Sequence, residues 1–171
     1  MAFLEKPNEG RRKQLVISDV LADEFVKAVA VVVPHVSLSD AVFLISEAGC
    51  KRQSPHCDWD PVDPVFRSMV VPCGVVWSLQ NHTFLVVWPG SWRLFQTAPV
   101  SSCPLLSESI VEMNAGDVLI FRGDLVHAGN CYADRNIRMH AYGDVSRVAR
   151  VPDYTFLLEE SAPDAFAKLL L

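Results

Sequence analysis

Short β-prone segments separated by turn-forming residues are the feature that most limits how this chain can fold. Eight of them follow one another, at residues 41–47, 56–58, 69–79, 83–88, 107–113, 118–121, 125–128 and 136–142. Glycine, proline, asparagine and aspartate stand between them, for example at 89–91 (PGS) and 114–117 (NAGD), and these residue types favour turns. Many short strands joined by tight turns predict an all-β core, either a sandwich or a closed barrel.

Flanking helices are predicted at both ends of this core. Asp19 can cap a helix over about residues 20–30, which Pro34 follows as a breaker. Its apolar residues fall on one side, at Leu21, Phe25, Ala28 and Val29. We expect this helix to support the outside of a sheet as a buttress at about 19–33, and a second short helix at 161–171. The 171 residues suit a single domain, residues 1–171, with its barrel core at about 41–144.

Composition restricts the class of protein. Hydrophobic residues make up 50% of the chain and charged residues 20%, which favours a packed core over disorder. The net charge of −5 opposes nonspecific binding to nucleic acid. Five cysteines without a C-x-x-C pair disfavour a disulfide framework and a closed zinc site. The start lacks a secretory apolar stretch, and the apolar run at 28–33 is too short to span a bilayer. We therefore expect a cytoplasmic protein with no membrane partner.

Three residues form a candidate metal site: His56, Asp58 and His127. His56 and Asp58 are two positions apart, so on an extended segment their side chains project from the same face. His127 lies in a different predicted strand, and a barrel brings such distant strands to one mouth. Two imidazoles and one carboxylate form a facial triad that holds Fe(II) and leaves coordination positions open. The sequence therefore predicts an iron centre that activates O2.

The last predicted strand has one polar face and one apolar or small face. Its polar residues are Arg138, His140 and Tyr142, which alternate with Met139, Ala141 and Gly143. In a small barrel the polar face should line the lumen. A buried Arg138 needs a partner, and a dicarboxylate cosubstrate would provide one in bidentate form. His140 is predicted to line the lumen rather than to bind the metal.

A family pattern matches these residues. The order His56-Cys57-Asp58, His127, Arg138 resembles the HxD…H…R pattern of the Fe(II)/2-oxoglutarate-dependent dioxygenases. Residues 87–91 (VWPGS) and 115–127 (AGDVLIFRGDLVH) resemble segments of the phytanoyl-CoA-hydroxylase-like branch of that superfamily. The resemblance extends over residues 41–144.

The resemblance implies a double-stranded β-helix, also called a jelly roll or cupin-like barrel. It implies that His56, Asp58 and His127 bind Fe(II). It also implies that Arg138 binds the C5 carboxylate of 2-oxoglutarate and that Thr83 is a candidate for a second contact with this cosubstrate.

The implied activity is that of a 2-oxoglutarate-dependent hydroxylase. It would use O2 to oxidise a substrate C–H bond, giving an alcohol or a demethylated product together with succinate and CO2. Two alternatives stay open: a cupin-like metal enzyme that does not use 2-oxoglutarate, and a non-catalytic jelly-roll binding module. The acidic charge favours a small molecule or a protein side chain over nucleic acid as substrate, and the oligomeric state is left open.

Other residues near the motifs have plainer interpretations. The basic residues 11–13 (RRK) are predicted to be a solvated, flexible start, and Asp60 and Asp63 to be solvated loop charges. Trp59 directly follows the motif, and we place it at the site entrance. Cys57 is predicted to be a small buried hydrophobic residue.

Overall fold

Antiparallel strands form the framework of the computed structural model, which describes residues 3–4, 11–61, 63–97, 107–146 and 156–157. The described strands are β1 (Phe3–Leu4), β2 (Arg12–Val16), β3 (Ser37–Ser46), β4 (His56–Cys57), β5 (Cys73–Ser78), β6 (Thr83–Val87), β7 (Ser109–Met113), β8 (Val118–Arg122), β9 (His127–Gly129), β10 (Asn136–Asp144) and β11 (Phe156–Leu157). The described helices are α1 (Asp19–Ala30), α2 (Ser91–Thr97) and a short 3-10 helix (Pro64–Arg67). Neither α-helix has the length and apolar character that crossing a bilayer requires.

The strands divide between two sheets. The larger has the order β1-β2-β3-β10-β5-β8, and the smaller has the order β11-β4-β9-β6-β7. Between β3 and β10 the chain crosses repeatedly from one sheet to the other, so that β3, β5, β8 and β10 face β4, β6, β7 and β9. This arrangement is a double-stranded β-helix, or jelly roll, and these eight strands correspond to the eight predicted segments. The predicted fold is therefore confirmed.

Several predicted boundaries were wrong. The strand expected from residue 69 begins at Cys73, because Pro72 has no N–H for the ladder and Met69 is fully exposed. Strand β2 and helix α2 were not predicted. Asp63 is not simply a solvated charge, since its carboxylate accepts a hydrogen bond from Val65 N (2.8 Å) and caps the 3-10 helix. The helix expected at 161–171 lies outside the described residues.

Helix α1 packs on the outer face of the larger sheet. Phe25 and Val29 are buried there against Met139 and Ala141, from the apolar face of β10. The helix begins one position earlier than predicted, because Ser18 occupies the N-cap position and Asp19 is already helical. With its apolar face covered by α1, β10 is left with its polar face toward the interior of the barrel.

Candidate functional site

The three predicted metal ligands come together on two neighbouring strands. His56 in β4 and His127 in β9 are direct cross-strand partners, with ring centroids 4.4 Å apart. Asp58 follows β4, and its two carboxylate oxygens lie 4.0 Å from His56 Nε2 and 3.6 Å from His127 Nε2. One ligand atom from each residue lies within 4.8 Å of the others, and all three residues are buried. Antiparallel pairing therefore forms the cluster, since directly opposite side chains are close neighbours.

Backbone carbonyls determine which imidazole nitrogens are available in this cluster. Nδ1 of His56 lies 2.8 Å from the Ser54 carbonyl oxygen, and Nδ1 of His127 lies 3.0 Å from the Leu125 carbonyl oxygen. A carbonyl can only accept, so each Nδ1 donates its proton and each Nε2 keeps a lone pair. Burial lowers the pKa of His127 to about 4, while the hydrogen bond to Leu125 acts in the opposite direction. His127 is therefore neutral near pH 7, as a metal ligand must be.

The chemistry of this donor set fits a divalent iron. Two neutral imidazole nitrogens and one carboxylate, grouped on one side, form the arrangement that binds Fe(II) and leaves positions open. Cys57, between His56 and Asp58 in the sequence, does not join them: it is buried and its Sγ donates to the Asp124 carbonyl oxygen (3.5 Å). Burial raises the pKa of the Cys57 thiol well above its ordinary value, which agrees with its prediction as a buried hydrophobic residue.

A glycine allows the segment around Asp58 to pack closely on the turn after β8. The backbone N–H groups of Asp58 and Trp59 both donate to the Gly123 carbonyl oxygen, at 3.2 and 3.3 Å. A Cβ on Gly123 would collide with the Trp59 ring. Trp59 is only 3% exposed and packs edge-on against Tyr142. Its predicted place at the site entrance was therefore wrong, because the ring is buried in the wall and does not line the cavity.

The turn after β6 positions the segment that leads to His127. The Ser91 hydroxyl accepts a hydrogen bond from Val126 N (2.9 Å), and Trp88 N donates to the Val126 carbonyl oxygen (3.0 Å). Ser91 is completely buried. Residues 87–91, noted in the sequence for their family resemblance, thus hold the residue just before His127 from both sides.

A cavity of about 690 Å³ opens beside the ligand cluster. Its wall includes the three ligands and the inward face of β10, namely Arg138, His140 and Tyr142. The prediction that this polar face lines the lumen is confirmed. His140 Nε2 lies 4.0 Å from an Asp58 carboxylate oxygen, so His140 borders the cluster from the opposite sheet. An apolar part of the wall consists of Val76, Leu85 and Phe121.

Arg138 is held in a defined orientation in this wall. It is 3% exposed, and its Nη1 donates to Ser46 Oγ (3.0 Å) and to Asn136 Oδ1 (3.4 Å). Its Cζ lies 5.7 Å from the centroid of the Tyr132 ring. The guanidinium is therefore placed in the same cavity as the ligand cluster.

Thr83 lies outside the cavity wall. Its hydroxyl accepts hydrogen bonds from Ser78 Oγ (2.7 Å) and Asn136 Nδ2 (2.9 Å) and donates to the Gln80 carbonyl oxygen (3.1 Å). Asn136 in turn accepts from Arg138. In this geometry Thr83 supports Arg138 through Asn136, and its contact with the cosubstrate stays a prediction.

Arg12 is the site residue that the sequence analysis missed. Its Nη1 donates to Ser46 Oγ (3.0 Å), and its Nη2 donates to the carbonyl oxygens of Lys51 (2.9 Å), Gly129 (3.2 Å) and Asn130 (2.6 Å). It thus connects β2 to β3, to the segment before β4 and to the end of β9. The prediction of a solvated, flexible start at 11–13 was wrong here, because β2 pairs with β3 from Arg12 to Val16. Nothing in the sequence indicated this role, since a basic run has the composition of a solvated end.

Comparison with known proteins shows the same fold in solved structures. The sequence matches no protein-family model and no curated protein. HygX from Streptomyces hygroscopicus, with nickel, 2-oxoglutarate and hygromycin B bound, is 14% identical with a TM-score of 0.59, over 87% of this chain and 75% of that chain. The non-heme alpha ketoglutarate dependent epimerase SnoN from nogalamycin biosynthesis is 15% identical with a TM-score of 0.64, over 88% and 68%. A Pseudomonas putida prolyl-4-hydroxylase is 12% identical with a TM-score of 0.57, over 83% and 77%. The shared feature is the jelly-roll fold.

Proposed function

We propose that this chain is an Fe(II)- and 2-oxoglutarate-dependent dioxygenase that hydroxylates or demethylates its substrate and releases succinate and CO2. The observation that carries the proposal is the His56–Asp58–His127 cluster, which opens onto the same cavity as Arg138. The shared fold with HygX and SnoN supports it. The segments at 87–91 and 115–127 favour the phytanoyl-CoA-hydroxylase-like branch.

His56, Asp58 and His127 would hold the iron. The two imidazoles would bind it through Nε2, since each Nδ1–H is already engaged by a backbone carbonyl. Asp58 would contribute one carboxylate oxygen and offset part of the metal's charge. When bound, iron and 2-oxoglutarate would supply the oxidative chemistry with O2, and the protein would supply position and a protected site.

Arg138 would bind the C5 carboxylate of 2-oxoglutarate. Its guanidinium is planar and can donate two parallel hydrogen bonds to a carboxylate. Ser46 and Asn136 restrict its rotation through their hydrogen bonds to Nη1, so little side-chain entropy is lost on binding. Its burial, at 3% exposure, distinguishes Arg138 from the exposed cations at the cavity mouth.

The substrate would lie against the apolar part of the wall. Val76, Leu85 and Phe121 face the cavity, and Phe121 packs against the His127 ring with centroids 4.6 Å apart. These side chains restrict water near the ligand cluster, which protects a reactive site from side reactions. The cavity volume suits a small molecule or a single protein side chain.

The test is an anaerobic titration of the Fe(II)-loaded protein with 2-oxoglutarate. Binding is monitored through the visible charge-transfer band of the chelate. We expect the band in the parent protein and in His82→Ala, because His82 is exposed and does not line the cavity. We expect no band in His127→Ala or Asp58→Ala, with folding checked by circular dichroism. Bound iron without a band would favour a cupin-like enzyme, and no metal binding would favour a binding module.

A further inference from the structure

The wall of the cavity is basic although the chain as a whole is acidic. The net charge of the chain is −5. Among the described residues that line the cavity, Asp58 is the single acidic residue. The cationic residues in the same wall, besides Arg138, are Arg11, Arg12, Lys13, Lys51 and Arg52. Positive charge is therefore concentrated where a substrate would enter.

The charges deep in the cavity are already matched by the proposed cofactors. Fe(II) would bring two positive charges, and Arg138 adds a third. Asp58 and the two carboxylates of 2-oxoglutarate would bring three negative charges. The loaded deep site therefore needs no further counter-charge from a substrate.

Two of the cations at the mouth have structural roles. Arg52 donates to both carboxylate oxygens of Glu108, at 3.1 and 2.7 Å, and this hydrogen bonding lowers the pKa of Glu108. Arg12 connects three segments through backbone carbonyls and Ser46. Neither residue is assigned a role in binding the substrate.

Arg11 and Lys51 are exposed at the cavity mouth. Arg11 Nη1 donates to the Ala48 carbonyl oxygen (2.6 Å), which orients the guanidinium without neutralising it. Glu47, which directly precedes Ala48, is acidic, but it does not line the cavity. Its Oε2 lies 3.7 Å from Arg135 Nε. The mouth thus presents positive charge from two chain segments, one just before β2 and one before β4.

We propose that the substrate is a small molecule carrying a phosphate or carboxylate group, and that Arg11 and Lys51 bind this group at the mouth of the cavity. The inference rests on the proposed function and adds a substrate class to it. Held there, the anionic group would leave the rest of the molecule to extend along the apolar wall toward the ligand cluster. Positive charge at a cleft also raises the rate at which an anion enters.

The test uses the Ni(II)- and 2-oxoglutarate-loaded protein and three related probes: phenyl phosphate, benzoate and phenol. Binding is measured by titration calorimetry at low and high salt. We expect one or both anions to bind about tenfold more tightly than phenol, with a preference that shrinks as salt rises. Comparison of the Kd values of phenyl phosphate and benzoate then shows whether the site prefers a phosphate or a carboxylate group.

Two double variants locate the effect. Arg11→Gln/Lys51→Gln should raise the Kd of the preferred anion by about fivefold and leave the Kd of phenol unchanged. Lys27→Gln/Arg67→Gln removes the same charge from exposed residues that do not line the cavity, and it should leave both Kd values unchanged. Equal binding of the three probes, or an equal loss in both double variants, would overturn the inference.

Two further outcomes separate this inference from the function on which it rests. A charge-transfer band on the Fe(II)-loaded protein without any preference for anions would overturn the substrate class alone. Anion binding without the band would overturn both the proposed function and the assignment of the anion as its substrate. A short oligothymidylate that binds more tightly than phenyl phosphate, and that is weakened by Arg11→Gln/Lys51→Gln, would replace the small molecule with nucleic acid.

Discussion

Arg12 and Arg138 donate hydrogen bonds to the same hydroxyl, since Nη1 of each guanidinium lies 3.0 Å from Ser46 Oγ. They come from β2 and β10, the two strands that flank β3 in the larger sheet. Ser46 lies at the end of β3 and is 1% exposed. One small side chain therefore links β2 to β10, the strand that carries the proposed cosubstrate arginine.

Ser46→Ala should destabilise the protein and weaken its site together. Two guanidinium donors would lose a buried acceptor, which costs about 1–3 kcal/mol. Urea unfolding measures the loss of stability, and titration of the metal-loaded protein measures the Kd of 2-oxoglutarate. Ser109→Ala, at an exposed position of β7, should change neither. If Ser46→Ala binds 2-oxoglutarate as the parent does, Ser46 does not orient Arg138.

Arg138→Lys and Arg138→Gln should weaken 2-oxoglutarate binding and spare metal binding. Lysine keeps the charge but loses the bidentate geometry, so we expect an increase in Kd of about tenfold for lysine and more for glutamine. Calorimetry with Ni(II) and then with 2-oxoglutarate separates the two steps. Arg135→Gln, which removes an exposed arginine three positions earlier, is the matched control. Unchanged 2-oxoglutarate affinity in Arg138→Gln would make the arginine purely structural.

Gly123→Ala should disturb the packing that supports Asp58. The new Cβ would overlap the Trp59 ring, and overpacking of this kind costs about 1–3 kcal/mol. The same change should weaken metal binding, because Gly123 accepts the backbone hydrogen bonds of Asp58 and Trp59. Trp59→Leu removes the collision, so the double variant should lose less stability than the sum of the single variants. Strict additivity would show that the two positions do not interact.

Stability of the metal-free protein should fall as the pH falls below about 6.5, the ordinary pKa of an unfolded histidine. Burial lowers the pKa of His127 to about 4 in the folded chain. Between these two pKa values His127 binds a proton in the unfolded chain but not in the folded chain, so a lower pH favours unfolding. Across this pH range, the contribution of His127 lowers the free energy of unfolding by an amount on the order of 3 kcal/mol. Urea unfolding at several pH values should show a smaller slope in His127→Gln than in His82→Gln, and equal slopes would contradict the assignment.

The sequence alone predicted the architecture and brought out the three residues of the proposed ligand set. Eight β-prone segments with turn residues between them predicted β3 to β10, because strand propensity and turn chemistry are local properties. The period-two alternation of β10 predicted which of its residues line the cavity, because successive strand residues project to opposite faces. The two-residue spacing of His56 and Asp58 likewise predicted one shared face.

Only the tertiary structure decided how these residues are supported. Arg12 reaches acceptors on β3, before β4 and after β9, and no local pattern records partners so distant in the chain. The same holds for the enclosure of Thr83 by Ser78 and Asn136, and for the burial of Trp59 against Gly123. Local sequence specifies the direction in which a strand residue projects, whereas the partner that it meets depends on strand pairing and sheet packing between remote segments.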